Sequence, residues 1–537
     1  MTEPQTPEEA TPQTRRFAVL PMTAIFLAIV AIVGALYVSD LTTYGPTWDE
    51  FFHRPTGQSY LRFLRTGDLQ PILKDEHAAW FPPVAVTIGA WFLENPALER
   101  RFPAPADRFH CGAIFFASLT AGLVYLIGHR ATGCRSAGLL AALLLATHPQ
   151  FVTHAHINVR DMGLMTFYAL TCFILLVATQ ARRGALFWIA LAGLVGGMGT
   201  AAKQNGAFLI PVGLAWMVLN IRALGFKRLV IGGALYMAGF AAAFFASWPY
   251  LWVDTAAHLR EVWRFMTDPV IIAITTTFYD KIYTAGIDLP FYYPWVMLTI
   301  LTPPAFIFLS WTGAVASVAR FFRGDVGPAL PFLWLVLPLS RFFVPKSAVC
   351  YDQIRHILEV LPALALLAAI AVWSIPIVLR RFRWSRMAAV ALGGAVFLFN
   401  LSVAVRYRPF GTAYFNWMAG DAAYVTHAFD VEFWGNVYRE AGAELNKRYP
   451  PNLTYFTAGL GNHILREAGV PNPMTDRFED DFQLVAFMNK QNYLRNSAYA
   501  RWLVRTKKPV FTIERDGKIL FWAFEPDKAE YQAGGGT

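Results

Sequence analysis

Apolar positions along this chain fall in long blocks, not in short alternating runs. The blocks cover 17–38, 109–128, 136–150, 162–180, 185–201, 205–221, 228–249, 291–312, 327–344, 357–380 and 386–405. A bilayer core takes roughly 20 apolar residues as helix, so the pattern predicts about eleven transmembrane helices. Two stretches depart from it. In 39–108, Tyr60, Leu61, Phe63 and Leu64 form an apolar stripe at helical spacing, with Arg62 and Arg65 turned elsewhere and Gly67 as the stop. That predicts an interfacial amphipathic helix, and Pro82-Pro83 opens a second one. Beyond 406 the blocks end. Short apolar or alternating runs at 454–460, 509–514 and 519–524 predict strands, with Asp516-Gly517 as a hairpin turn and helices at 436–448 and 480–504. The chain therefore divides into a polar start (1–16), a membrane region (17–405) and a small α/β domain (406–537).

Composition agrees: 55% of residues are hydrophobic, 15% are charged, and mean hydropathy is +0.38. A soluble globular chain carries about a quarter charged residues. The net charge of +10 does not indicate nucleic acid, because the basic residues sit in short clusters between apolar blocks. Counted from a cytoplasmic N-terminus, alternate loops hold Arg15-Arg16, Arg130 with Arg135, Arg182-Arg183, Arg320 with Arg323, and Arg380 to Arg386, almost without acid. This is the positive-inside pattern. It predicts N-in, C-out topology in the inner (plasma) membrane. The first block is too long for a cleaved signal peptide, whose apolar core is about 7–15 residues. The four cysteines show no metal or disulfide spacing.

On that topology, the polar clusters gather on the extracytoplasmic side. The first is Thr47-Trp-Asp49-Glu50, two adjacent carboxylates just past the first span. A helix cap explains such a pair as readily as catalysis does. The second is His154-Ala-His156-Ile-Asn158-Val-Arg160-Asp161, where Asp161 opens a span and capping by Asn158 is the structural alternative. On an extended loop, His154 and His156 would share a face and form a candidate divalent-ion pair, although no third ligand stands at a diagnostic spacing. Lys203 lies at an outer turn, where it either snorkels or meets a phosphate. Arg355 and His356 begin another span; a charge there needs a partner, such as Asp352, or a polar cavity. The loop 254–290 is a candidate cover.

The acidic pair, the apolar stripe, Gly67-Asp68 and Pro82-Pro83 together resemble the first outer loop of GT-C glycosyltransferases. The resemblance is to the protein O-mannosyltransferase and aminoarabinose transferase group, and within it to a bacterial subgroup that shares Asn158-Val-Arg-Asp161, Tyr351-Asp-x-x-Arg355-His356 and Asp430 to Gly435. It implies a GT-C-like all-α polytopic fold and a sugar donor linked to polyprenyl phosphate. It also implies a hydroxyl acceptor, catalytic roles for Asp49, Glu50 and Asp161, and inverting transfer with a carboxylate base. Arg54, His77, Lys203, Arg355 and His356 are the candidate contacts for donor phosphate and lipid. Where the group often carries His or Lys before the paired prolines, this chain has Phe81, with His77 and Lys74 as nearby alternatives. A lipid-linked-sugar transporter and a non-catalytic scaffold are the rival readings. A transporter places polar groups at the membrane midplane, and these spans are nearly free of charge.

Overall fold

The computed structural model describes residues 12–534, apart from 182, 269–273, 344–349, 458–460, 492–493 and 495–496. Most of the polar start, Arg182, Lys346 and the glycine-rich ending lie outside the described residues. Among those residues, seven helices are long and apolar enough to cross a membrane: Met22–Thr43, Pro105–Thr132, Val159–Gln180, Phe226–Ala246, Pro304–Phe322, Arg355–Val378 and Ser385–Tyr407. The helices Arg135–Ala146 and Pro149–Ile157, bent by 65°, make an eighth if taken as one span. The protein is a multi-pass membrane protein. Pro105–Thr132, Val159–Gln180 and Arg355–Val378 are largely buried, whereas Met22–Thr43, Phe226–Ala246 and Ser385–Tyr407 turn apolar faces outward. An outward apolar surface is stable only against lipid or a partner.

The other predicted spans differ in form. The blocks at 185–201, 205–221 and 327–344 are shorter helices, Ala185–Thr200, Gln204–Leu219 and Ala329–Phe343. The block at 291–312 is broken between Tyr293–Ile300 and Pro304–Phe322. Pro303 and Pro304 remove two backbone donors at that point, so the helix restarts there.

The first outer loop forms as its pattern predicts. A helix runs Glu50–Thr66, stopped by Gly67 in the left-handed conformation (φ 74°). A second runs Pro83–Leu93. The two touch backbone to backbone, since a Cβ on Gly57 would lie 2.2 Å from the Val86 carbonyl oxygen.

The tail carries a five-stranded sheet. Its strands are β3 (Tyr455–Phe456), β4 (Met474–Thr475), β5 (Leu484–Met488), β6 (Phe511–Arg515) and β7 (Lys518–Phe524), in the order β4-β3-β5-β7-β6. Preceding it in the chain, β1 (Thr275–Phe278) and β2 (Lys281–Thr284) form a separate hairpin inside the loop 254–290. The β6–β7 turn is Asp516-Gly517, both at positive φ as a two-residue hairpin requires. The helix predicted over 480–504 is corrected. Its first part contains strand β5, five consecutive buried apolar residues pairing with β3 and β7, while Ala498–Thr506 in its last part is helix. A central strand buried on both faces lacks the alternation that would reveal it.

Candidate active site

The turn Thr47–Glu50 closes on itself. The Glu50 Oε1 accepts from the Thr47 N–H at 2.9 Å and the Thr47 hydroxyl at 3.0 Å, and the Glu50 N–H donates to the Thr47 carbonyl. The His110 Nε2 lies 2.6 Å from the same oxygen. Burial raises the Glu50 carboxyl, but His110, Arg54 and the Thr47 N–H outweigh it and hold it below its ordinary range. Glu50 is therefore a buried, ionised brace for the turn.

Asp49 stands at the N-cap of the helix but makes no side-chain capping bond. Its Oδ2 pairs instead with the Arg355 guanidinium at 2.8 Å. Its side chain is 21% exposed and that of Glu50 2%, so Asp49 is the carboxylate an incoming molecule can reach. The sequence left capping and catalysis open for the pair; in the structure neither side chain caps the helix, and Glu50 instead closes the turn that precedes it.

Arg355 forks between two carboxylates, with Nη2 toward Asp49 and Nη1 3.1 Å from Asp352. It lies over the Trp434 ring at 4.7 Å and the Tyr351 ring at 5.6 Å. Its Nε is buried without a hydrogen-bond partner. Asp352 and Gln353 both take positive φ, 52° and 61°. The turn is held by Gln353, which donates to the Tyr293 hydroxyl and to the Thr412 and Asp430 carbonyls. Lys490, from the residues following β5, reaches the other Asp352 oxygen at 3.0 Å.

Asp161 has both oxygens occupied. The Lys203 ammonium pairs with Oδ1, and the Asn158 amide donates to Oδ2 at 2.6 Å. Asn158 also caps the helix, accepting from the Asp161 N–H at 3.0 Å. Capping and a charged site coexist here, and the saturated Asp161 is placed to orient rather than to take a proton.

Several buried nitrogens around these acids are unspent: Arg160 Nε, His53 Nε2 and His356 Nε2, besides Arg355 Nε. Arg160 donates to the Trp80 carbonyl and to Gln204, and lies over Phe81 at 5.0 Å. The phenylalanine in place of a basic residue thus underlies an arginine. His53 sits edge-on to Phe81. Burial pushes its imidazole down to about 4, with Asp49 and Asp161 pulling up and Arg160 and Arg355 pushing down. His53, Arg160 and Lys490 escaped the sequence reading. Their only signal was neighbourhood to chosen residues, and Lys490 had none.

Two other predicted residues stand at the edge of the cluster, His77 stacked on Phe81 and Arg54 beside Glu50. His77 packs on Phe52 and Trp80, 3.6 Å from Asp75. Arg54 is spent on Glu467 at 2.6 Å and Glu50 at 3.6 Å, on the wall of a cavity of about 630 Å³ that Glu94, Glu99 and Arg108 also line. The His154–His156 metal pair is corrected. These residues stand on a helix, Pro149–Ile157, where positions two apart diverge by about 200°. His154 meets Asn158 and Trp434; His156 stacks on Tyr44 and lies 3.1 Å from Asp40. Among the described residues no group of three or more His, Cys, Asp or Glu is placed to hold a metal ion. In the loop 254–290, the helix Thr255–Thr267 stacks Phe265 on Trp80.

Residues 46–254 match the family model described as dolichyl-phosphate-mannose-protein mannosyltransferase. That stretch carries Asp49, Asp161 and Lys203 and ends before Arg355 and Lys490. The chain has the GT-C fold of the mannosyltransferase and ArnT-like group. Among solved structures, it resembles ArnT from Cupriavidus metallidurans in the apo state, with a TM-score of 0.50 and 12% identity over 95% of this chain and 100% of that one. The same protein bound to undecaprenyl phosphate aligns at TM-score 0.47 and 14% identity, over 94% and 99% of the two chains. An uncharacterized protein of Aquifex aeolicus (strain VF5) is 25% identical over 204 residues, 37% of this chain and 38% of that protein. The match thus spans well under half the length of that relative.

Proposed function

We propose that this protein transfers a sugar from a polyprenyl-phosphate donor to a hydroxyl acceptor by single, inverting displacement. Asp49 takes the acceptor proton as the acceptor oxygen bonds to the anomeric carbon. The bond from that carbon to the phosphate oxygen breaks, and the polyprenyl phosphate leaves as an anion. Arg355 orients Asp49 and turns its unspent Nε toward the leaving phosphate, with Arg160, His356 and Lys203 adding positive charge or donors. Preorganised donors aimed at developing charge are the largest single catalytic contribution in most enzymes. Asp161 orients the acceptor.

The observation that carries this reading is the uncapped Asp49 carboxylate held by Arg355. The described family of the 46–254 match supports a polyprenyl-phosphate sugar as donor. The basic loops, read from a cytoplasmic N-terminus, support a reading in which the site and the tail face the extracytoplasmic side of the inner membrane. The test is label transfer in native membranes from a panel of radiolabelled polyprenyl-phosphate sugars, wild type against Asp49→Asn. Full transfer by the variant refutes the reading.

A further inference from the structure

Lys490 lies at the far end of the chain from Asp49, yet it is one of the best-buried charges near the site. Its side chain is 3% exposed, as is that of its partner Asp352. Its ammonium meets two groups beside the site. One is the 3.0 Å pair with Asp352 Oδ1; the other is the face of Trp48, 5.2 Å from the ring centre, in the residue just before Asp49. The backbone that delivers it is fixed. Asn489 donates its backbone N–H to the Leu520 carbonyl and its side-chain amide to the Thr426 and Ile519 carbonyls.

The contacts form one line: Lys490 to Asp352 at 3.0 Å, Asp352 to Arg355 at 3.1 Å, Arg355 to Asp49 at 2.8 Å. Charges alternate along it. Arg355 is shared between two carboxylates, and Asp352 between two cations. Removing Lys490 leaves Asp352 paired with Arg355 and draws the guanidinium away from Asp49. Uncompensated buried charge is strongly unfavourable, so the shift has a driving force.

We propose that Lys490 is a positioning residue for the Asp49–Arg355 pair, acting through Asp352, so that the tail sheet completes the active site. This rests on the reading that Asp49 and Arg355 act in transfer.

The experiment uses the full chain in native membranes, with radiolabelled polyprenyl-phosphate mannose as the first probe. It compares wild type with Asp49→Asn, Lys490→Met, Lys490→Arg and the double variant Asp352→Asn/Lys490→Met. Lys490→Met is expected to lower kcat about thirtyfold with donor KM little changed, in the range of coupling between contacting residues. Lys490→Arg, which keeps the charge, is expected within about threefold of wild type. The double variant, which leaves Arg355 to Asp49 alone, is expected to recover at least about tenfold of the loss. If Lys490→Met does not accumulate in membranes, the double variant decides: activity within about tenfold of wild type supports the line. Losses that add in the double variant, or a fully active Lys490→Met beside an inactive Asp49→Asn, overturn the inference. A wild type inactive with every polyprenyl-phosphate sugar of the panel, or a fully active Asp49→Asn, overturns the functional reading beneath it.

Discussion

The Asp49 carboxylate is held by the Arg355 guanidinium at 2.8 Å and not by the helix it precedes. Glu50, one residue on, does the opposite, closing the turn on Thr47 and His110. Adjacent residues of like chemistry thus have unlike environments: Glu50 is a buried brace, and Asp49 is the more accessible carboxylate that we propose as the base.

The brace predicts a larger stability effect than the proposed base does. Glu50→Gln removes the charge from hydrogen bonds with Thr47 and His110. Hydrogen bonds to charged groups contribute about 1.5–3 kcal/mol each, so the detergent-solubilised variant is expected to unfold at a clearly lower temperature. Asp49→Asn is expected to lose less than Glu50→Gln, because Asp49 is 21% exposed and Arg355 keeps Asp352 as a partner when the Asp49 charge is removed. Equal losses in the two variants would contradict the division of labour.

Asp161 and Lys203 form a buried ion pair whose second carboxylate oxygen belongs to Asn158. Lys203→Met leaves Asp161 buried without its cation, which costs about 3–5 kcal/mol. The double variant Asp161→Asn/Lys203→Met is expected to recover most of that stability without recovering transfer. Thermal unfolding with parallel transfer assays checks this. Recovery of both would make the pair purely structural.

His53 gives stability a pH dependence. Its imidazole is pushed by burial to about 4, below the ordinary 6.5 of the unfolded chain. Above 6.5 both states are neutral and there is no effect. As pH falls from 6.5 to 4 the unfolded chain takes up a proton that the folded chain refuses, and stability drops by about 3 kcal/mol. Below 4 the contribution is constant. Unfolding temperature measured from pH 7 to 4 is expected to fall more steeply in wild type than in His53→Gln. Parallel curves would remove His53 from the account.

Much of the architecture was legible because lipid imposes one rule, that apolar blocks become helices. The Tyr60–Leu64 stripe, Gly67 and Pro82-Pro83 marked the outer-loop helices, and Asp516-Gly517 marked its hairpin, because each is local. The different fates of Asp49 and Glu50 were not legible, since Arg355 and His110, which decide them, come from distant helices. His154 and His156 misled because Pro149 opens a short helix through both of them where an extended loop was expected. Lys490 was invisible. Its meaning arises only when β5 packs into a sheet and its end meets the loop carrying Asp352.

The most direct measurement is sugar transfer from a radiolabelled polyprenyl-phosphate donor by Asp49→Asn, with donor binding measured on the same membranes. General-base assistance contributes about 10²–10⁴ in rate. The account predicts a loss of that size with donor binding retained. Transfer at the wild-type rate by Asp49→Asn would contradict it.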